Sequence, residues 1–309
     1  MSNLAAILFA CNASLRSFFA FLSQIRNFTL LRCGIADKKV ANEYGDLCRP
    51  MPLYPIETCK IWYLKKKTKL DDRLVAVAKR IRANVHVDIG SDHGKLLLWL
   101  LKNQKINFGI AIENNQRPFQ NSTDALQVFF PPRPADGTAP GIAEVRFGDG
   151  LAAIQPGEGD SLSICGLGGR AIARILSAHP DRVPEQLVVQ PNNRPEVIRR
   201  WALANGYRLL DEVIVGGERE FIVLAFQRHK ESTSDDNSKA ANADQDPAYR
   251  DVDFESAILF GPLIIKRNDP ALLEQLNQEL TYWNQFSDLA PPAAKRLKVV
   301  KNLRKSLRR

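Results

Sequence analysis

Cysteine is sparse in this chain and badly placed for cross-linking. Cys11, Cys33, Cys48, Cys59 and Cys165 are odd in number and widely spaced, no C-x-x-C pair occurs, and His86, His93, His179 and His229 do not cluster with them. A disulfide framework and a zinc site are therefore not expected, no metal is assigned, and a reducing cytoplasm is the compartment that fits. Long apolar runs are missing too. Residues 4–22 come nearest, but Asn12, Ser14, Arg16 and Ser17 interrupt them. A membrane span needs about 20 mostly apolar residues, and a central arginine costs roughly 2.5–3.5 kcal/mol on insertion. No basic residue precedes that stretch, as a signal peptide would require. Phosphate-cradling signatures are also absent. There is no G-x-x-x-x-G-K-[ST], and GSDHG at 90–94 is not G-x-G-x-x-G, because Asp92 stands where a second glycine would admit a pyrophosphate.

What is present is an ordinary globular composition with an excess of positive charge. Hydrophobic residues make up 45% and charged residues 25%, and the formal net charge is +9 with a pI near 9.4. That charge concentrates polyanions near the surface, without choosing among RNA, DNA and acidic membranes. Residues 1–66 read as an N-terminal extension of little function, with a targeting segment and a real extra helix as the alternatives, and Met51 is an alternative start. From residue 67 to 228 strands and helices alternate. Leu70, Leu74, Val77 and Ile81 recur at helical spacing. A β-branched run over 84–94 ends in Gly and Asp, and KLLLWLLK at 95–102 reads as a helix. Strands follow at 108–113, 144–147, 161–165 and 186–190, with helices at 119–130, 170–178 and 195–205 and a Pro/Gly-rich loop at 131–141. Two apolar runs, 209–215 and 221–227, read as a closing hairpin. This alternation predicts an α/β fold: a mainly parallel sheet with helices on both faces and an antiparallel last strand. Residues 229–248 carry almost no large apolar side chains and read as a flexible linker. Within 249–309, Leu273, Leu276, Leu280 and Trp283 form a helical seam that Pro291 and Pro292 break. Leu297, Val300, Leu303 and Leu307 begin a second stripe, so the pair reads as an antiparallel helical hairpin.

Ligands of open parallel sheets lie beyond the carboxyl ends of the strands. There the chain places Asp88, Gly90, Ser91, Asp92, His93 and Gly94 after the first strand, Glu113 after the second, and Asp149 between Gly148 and Gly150 after the third. Gly166, Leu167, Gly168 and Gly169 follow the fourth, and Gln190, Pro191, Asn192 and Asn193 the fifth. Glycine lets a backbone approach a ligand closely. An acid at the second strand end can accept from two ribose hydroxyls, and one after the third can receive an adenine amino group. Acids without a phosphate cradle suit an adenosyl ligand that is cationic, which points to S-adenosylmethionine. Taken singly, Glu113 is also a solvated strand end, Asp149 a turn former, His93 a helix cap and Cys165 a core residue. The reading rests on four matching strand ends in order.

VDIGSDHG, RFGDGL, ICGLGG, VVQPNN and ILFGPLIIK together resemble the bacterial tRNA (adenine-22-N1)-methyltransferase family, over roughly residues 70–309. Gly94-Lys95 stands where that family often has Ala-Tyr, and Leu167 replaces its usual Met. The resemblance implies a Rossmann-like seven-stranded methyltransferase sheet with a C-terminal α-helical hairpin that grips RNA. It implies methyl transfer from S-adenosylmethionine to N1 of an adenine in tRNA. Asp88, Gly90, Ser91, Asp92 and His93 would line the methionine end of the cofactor. Glu113 would hold the ribose, and Gly148, Asp149 and Gly150 the adenine. Gly166, Gly168 and Gly169 would face the target base. For such a transfer, their carbonyls, Gln190 and Asn192 are the candidates to receive the base's amino group. Basic residues at 60–82 and 295–309 would meet phosphates, and a monomer is expected. Competing readings are a methyltransferase for a protein or small molecule, with the tail as a partner module, and a nucleic-acid-binding protein that has lost its cofactor.

Overall fold

The computed structural model describes residues 69–91, 93–129, 142–216, 220–229 and 246–307. The N-terminal extension, Asp92, the 131–141 loop and most of the expected linker lie outside them. Thr68–Arg309 form one compact unit. Its elements are α1 (Asp72–Lys79), β1 (Val85–Ile89), α2 (Lys95–Lys102), β2 (Phe108–Glu113), α3 (Gln116–Phe129), β3 (Ala143–Phe147), β4 (Ser161–Leu167), α4 (Gly169–Ala178), β5 (Gln186–Pro191), α5 (Pro195–Ala204), β6 (Tyr207–Gly216), β7 (Glu220–Arg228), α6 (Phe254–Phe260), α7 (Pro262–Lys266), α8 (Pro270–Trp283) and α9 (Pro291–Ser306).

The seven strands form one sheet in the order β3-β2-β1-β4-β5-β7-β6. β3, β2, β1, β4 and β5 run parallel, and the β6–β7 hairpin folds back so that β7 pairs antiparallel with β5. The expected α/β sheet and its closing hairpin are thus both present. The sheet has an apolar layer on each face. Val87, Ile89, Ile110, Ile112, Leu162, Ile164, Leu187 and Val189 meet Ile172 and Leu176 of α4 and Ile198 and Trp201 of α5. Ala111, Val188, Val223 and Ala225 meet Val77 and Ala78 of α1 and the leucines of α2. Burying a strand on both faces demands continuous apolar runs. β1 and β4 break this rule on the second face, where His86, Asp88, Ser161 and Ser163 are buried.

Two short helices, α6 and α7, were not expected. Seven and five residues long and largely buried, they lack the one-sided stripe that marks a helix in sequence. They are fastened to the sheet by a buried ion pair: Arg199 Nη2 of α5 lies 2.9 Å from Glu212 Oε2 of β6, both fully buried. Arg199 Nη1 donates to the Ile258 carbonyl at 2.9 Å, and Glu212 Oε1 accepts from Leu263 N at 2.8 Å. Gly261 passes between the two helices at φ +97°, and a Cβ there would sit 2.5 Å from Glu212 Oε1. Tyr249, Ala257 and Ile258 belong to the main core, so the chain beyond the linker continues the sheet domain's packing before its hairpin begins.

The hairpin itself is α8 against α9. Its seam differs from the expected one: Leu272 and Leu276 are buried with Val300 and Leu303, while Leu273 is only half-buried. Pro291 does not end α8, which stops at Trp283; it occupies the first turn of α9, where a missing N–H costs nothing. Among the described residues no helix is long and apolar enough to cross a membrane.

Candidate active site

The strand order places the reversal of connection between β1 and β4, where a crevice opens at the carboxyl edge of such a sheet. Asp88, Glu113 and Asp149 belong to the ends of β1, β2 and β3, three adjacent strands. At the ~4.8 Å spacing of neighbouring strands their tips span about 10 Å, the reach of a nucleoside.

Asp88 is buried, and Ser163 Oγ donates to its Oδ1 at 2.5 Å. Burial pushes its carboxyl above the ordinary range, while the Ser163 and Ser91 hydroxyls oppose that rise. Beyond it the chain turns through three left-handed residues, Gly90 at φ +71°, His93 at φ +70° and Gly94 at φ +61°. A Cβ on Gly90 would meet no atom within 4 Å, so the turn borders open space. Ser91 Oγ is buried yet makes no hydrogen bond of ordinary geometry among the described residues. Asp92 falls outside them.

Glu113 is buried at the tip of β2, where Ser122 Oγ of α3 donates to its Oε1 at 3.2 Å. Its backbone carbonyl accepts from Gly148 N at 2.9 Å, which ties the β3 turn to it. Asp149 is exposed and its side chain does not cap the 3-10 turn over Gly150–Ala153. Gly150 is buried, with φ +55°, and a Cβ there would lie 3.0 Å from Ile175 Cγ2.

On the far side of the crevice, Gly166 is held at both backbone groups. Gln190 Oε1 accepts from Gly166 N at 3.1 Å, and Asn192 Nδ2 donates to Gly166 O at 2.5 Å. Gly169 opens α4 so close to β5's exit that a Cβ would stand 2.3 Å from Arg194 O. Gln190 is fully buried and its Oε1 also receives Arg73 Nη1 at 2.7 Å. Arg73 comes from α1, lies over the Phe221 ring, and would touch a Cβ on Gly166 at 3.3 Å. Its sequence signal was only that of one charge in a basic run. Beside it, burial foremost, and the charge of Asp88 next, push the Cys165 thiol above its ordinary range, against the opposing charge of Arg73. Among the described residues no cluster of His, Cys, Asp and Glu could hold a metal ion.

The residues present fit a cationic adenosyl ligand. Two buried carboxylates and one exposed one line the edge, and Gly90 leaves room. This sheet, closed by an antiparallel hairpin and bearing acids on three successive strand tips, has the architecture of the Rossmann-like methyltransferases. A family model described as TrmK, tRNA (adenine(22)-N(1))-methyltransferase, matches residues 86–307. The tRNA (adenine(22)-N(1))-methyltransferase of Bacillus subtilis (strain 168) is 33% identical over 230 residues, covering 73% of this chain and 87% of the relative. The crystal structure of the B. subtilis M1A22 tRNA methyltransferase TrmK superposes with a TM-score of 0.64 at 29% identity, over 77% of this chain and 99% of that one. A Streptococcus pneumoniae protein in complex with S-adenosyl-L-methionine shares the fold, with a TM-score of 0.61 at 23% identity over 76% of this chain and all of that one. The chain belongs to the tRNA (adenine(22)-N(1))-methyltransferase family.

Proposed function

We propose that this protein methylates N1 of adenine 22 in tRNA, in the cytoplasm, using S-adenosylmethionine held across the tips of β1, β2 and β3. The observation that carries this reading is the succession Asp88, Glu113 and Asp149 on adjacent strand ends, beside a Gly166 turn held at both of its backbone groups. Asp88, with Gly90, Ser91, Asp92 and His93, would meet the ammonium end of the cofactor. Glu113 would accept from the ribose hydroxyls and Asp149 from the adenine amino group, with Gly148 and Gly150 on either side of Asp149. When bound, the cofactor supplies an electrophilic methyl group on a sulfonium.

The chain's own task is then alignment and exclusion of water. N1 of neutral adenine carries a free lone pair, so no strong base is needed. Positioning of this kind supplies about 7–11 kcal/mol of barrier reduction. The carbonyls of Gly166 and Gly168 can accept from the target's amino group as its ring gains positive charge, which favours the transition state over the substrate. Asn192 is exposed at this point and can do the same through its side chain. Gln190, buried and engaged at its oxygen, works by shaping: it fixes Gly166 and Arg73 together. Arg73 suits a phosphate of the target nucleotide better than the base, because a methylated adenine is itself a cation. N1 lies on the pairing edge, so the base must be unpaired or extruded.

Incubation with unmodified bulk tRNA and methyl-labelled cofactor, followed by nucleoside analysis and position mapping, tests the reading. Label in 1-methyladenosine at position 22 is expected. Label in another nucleoside would overturn the base assignment, and no transfer at all would overturn the activity.

A further inference from the structure

The buried polar groups on the second face of β1 and β4 are joined end to end. Parallel register sets His86 beside Ser161 and Asp88 beside Ser163. His86 Nδ1 lies 2.6 Å from Ser161 Oγ, His86 Nε2 lies 2.9 Å from Ser163 Oγ, and Ser163 Oγ reaches Asp88 Oδ1 at 2.5 Å. All four residues are at most 3% exposed, on a face whose neighbouring strands pack largely apolar side chains against α1 and α2.

The direction of this chain follows from counting protons. A serine hydroxyl has one to give. Ser163 gives its proton to the Asp88 carboxylate, so toward His86 it can only accept, and Nε2 must carry the ring's proton. Nδ1 is then a lone pair and accepts from Ser161. The ring is neutral, in keeping with a pKa drawn down to about 3 by burial. With the proton on Nδ1 instead, Ser163 would have to serve Nε2, leaving two bare oxygens facing each other across the short contact to Asp88.

We propose that Ser161, His86 and Ser163 form a one-way donor chain that holds Asp88 as a buried anion for the ammonium group of the cofactor, which makes His86 and Ser163 positioning residues for cofactor capture. Every dipole in the chain points its positive end at Asp88. Chains of hydrogen bonds polarise one another in a low-dielectric interior, and this one opposes, in part, the desolvation of a carboxylate that has no cation bonded to it among the described residues. The inference rests on the assignment of Asp88 to the cofactor's methionine end made above.

The first test needs no disabling variant. Nitrogen-15 NMR of the histidine-labelled full-length chain, with His86 assigned by comparison with His86→Leu, should report a neutral ring protonated on Nε2 at neutral pH. A ring protonated on Nδ1, or on both nitrogens, would overturn the proposal. The second test compares the dissociation constants of S-adenosylhomocysteine and 5′-methylthioadenosine, the latter being a thionucleoside without the amino-acid end. Ser163→Ala and His86→Leu should weaken the first ligand about tenfold, the loss of one buried hydrogen bond to a charge. They should leave the second within about twofold, and Ser163→Thr, which keeps the hydroxyl, should restore binding. Equal weakening of both ligands would make the chain merely structural and overturn the proposal. Asp88→Asn separates the underlying assignment: if it fails to discriminate the two ligands, Asp88 does not meet the amino-acid end. If Asp88→Asn discriminates and the other two variants do not, the donor chain alone is refuted.

Discussion

Asp149 stands exposed at the tip of β3 and does not cap the turn that follows it. A residue that supports no local structure can be removed cheaply, so Asp149→Ala should leave thermal stability nearly unchanged. Under the proposed assignment it should weaken cofactor binding about tenfold, as expected when one hydrogen-bond partner is removed; calorimetric titration with S-adenosylhomocysteine checks this, and unchanged affinity would remove Asp149 from the site. His86 predicts the opposite separation. Its folded pKa is about 3, against 6.5 in the open chain, so between those values the unfolded state binds more protons and stability rises with pH. Acidifying from pH 7 to pH 5 should therefore cost about 2 kcal/mol through this residue. Asp88 acts in the other sense, because its raised carboxyl favours the folded state at low pH and loses that contribution as pH rises through the folded value. Urea denaturation at the two pH values should show a smaller loss for His86→Leu than for the unaltered chain; equal losses would mean that His86 is not buried neutral.

The elements that join sheet to hairpin depend on a single carboxylate. Glu212 receives Arg199 and the amide of Leu263, and Gly261 lies against its carboxylate. Gly261→Ala would bring a methyl carbon within 2.5 Å of Glu212 Oε1 at a backbone angle, φ +97°, that L-residues rarely adopt. Loss of about 3 kcal/mol or more is expected, the scale of a broken buried pair. Glu212→Gln leaves Arg199 buried without its counter-charge and should cost about 3–5 kcal/mol. Chemical denaturation measures both, and a change below about 1 kcal/mol in either would mean that the pair does not anchor α6 and α7. The sequence presented ILFGPLIIK as a family motif without the reason for its glycine, because Glu212 lies 49 positions earlier and only folding brings it there.

Across the whole molecule, charge is used unevenly. Of the basic residues in α9, Arg296 is paired with Glu279 at 2.6 Å, Arg304 donates to Asn277 at 2.8 Å and Lys295 lies 3.6 Å from Glu255. Lys298, Lys301 and Lys305 are exposed, and their spacing puts them on one face of the helix. These three are the residues expected to meet phosphates. Replacing all three by glutamine should lower the salt dependence of tRNA binding, by about one unit of log–log slope for each phosphate no longer neutralised. Fluorescence anisotropy across a salt series provides the measurement, and an unchanged slope would exclude α9 from the RNA interface. The binding of S-adenosylhomocysteine should not change in this variant.

The alternation of apolar runs and glycine-rich turns was enough to predict the parallel sheet, its closing hairpin and the carboxyl-edge residues of five strands, because strand period and turn chemistry are local properties of the chain. It could not predict that His86 and Ser163 serve Asp88, that Arg73 crosses from α1 to Gln190, or that Leu272 rather than Leu273 faces α9. Each of those depends on strand register or helix rotation, which are set by packing between residues far apart in sequence. Local patterning therefore determined which elements form and which residues stand at the sheet's carboxyl edge, and tertiary packing decided which side chains share a hydrogen bond there.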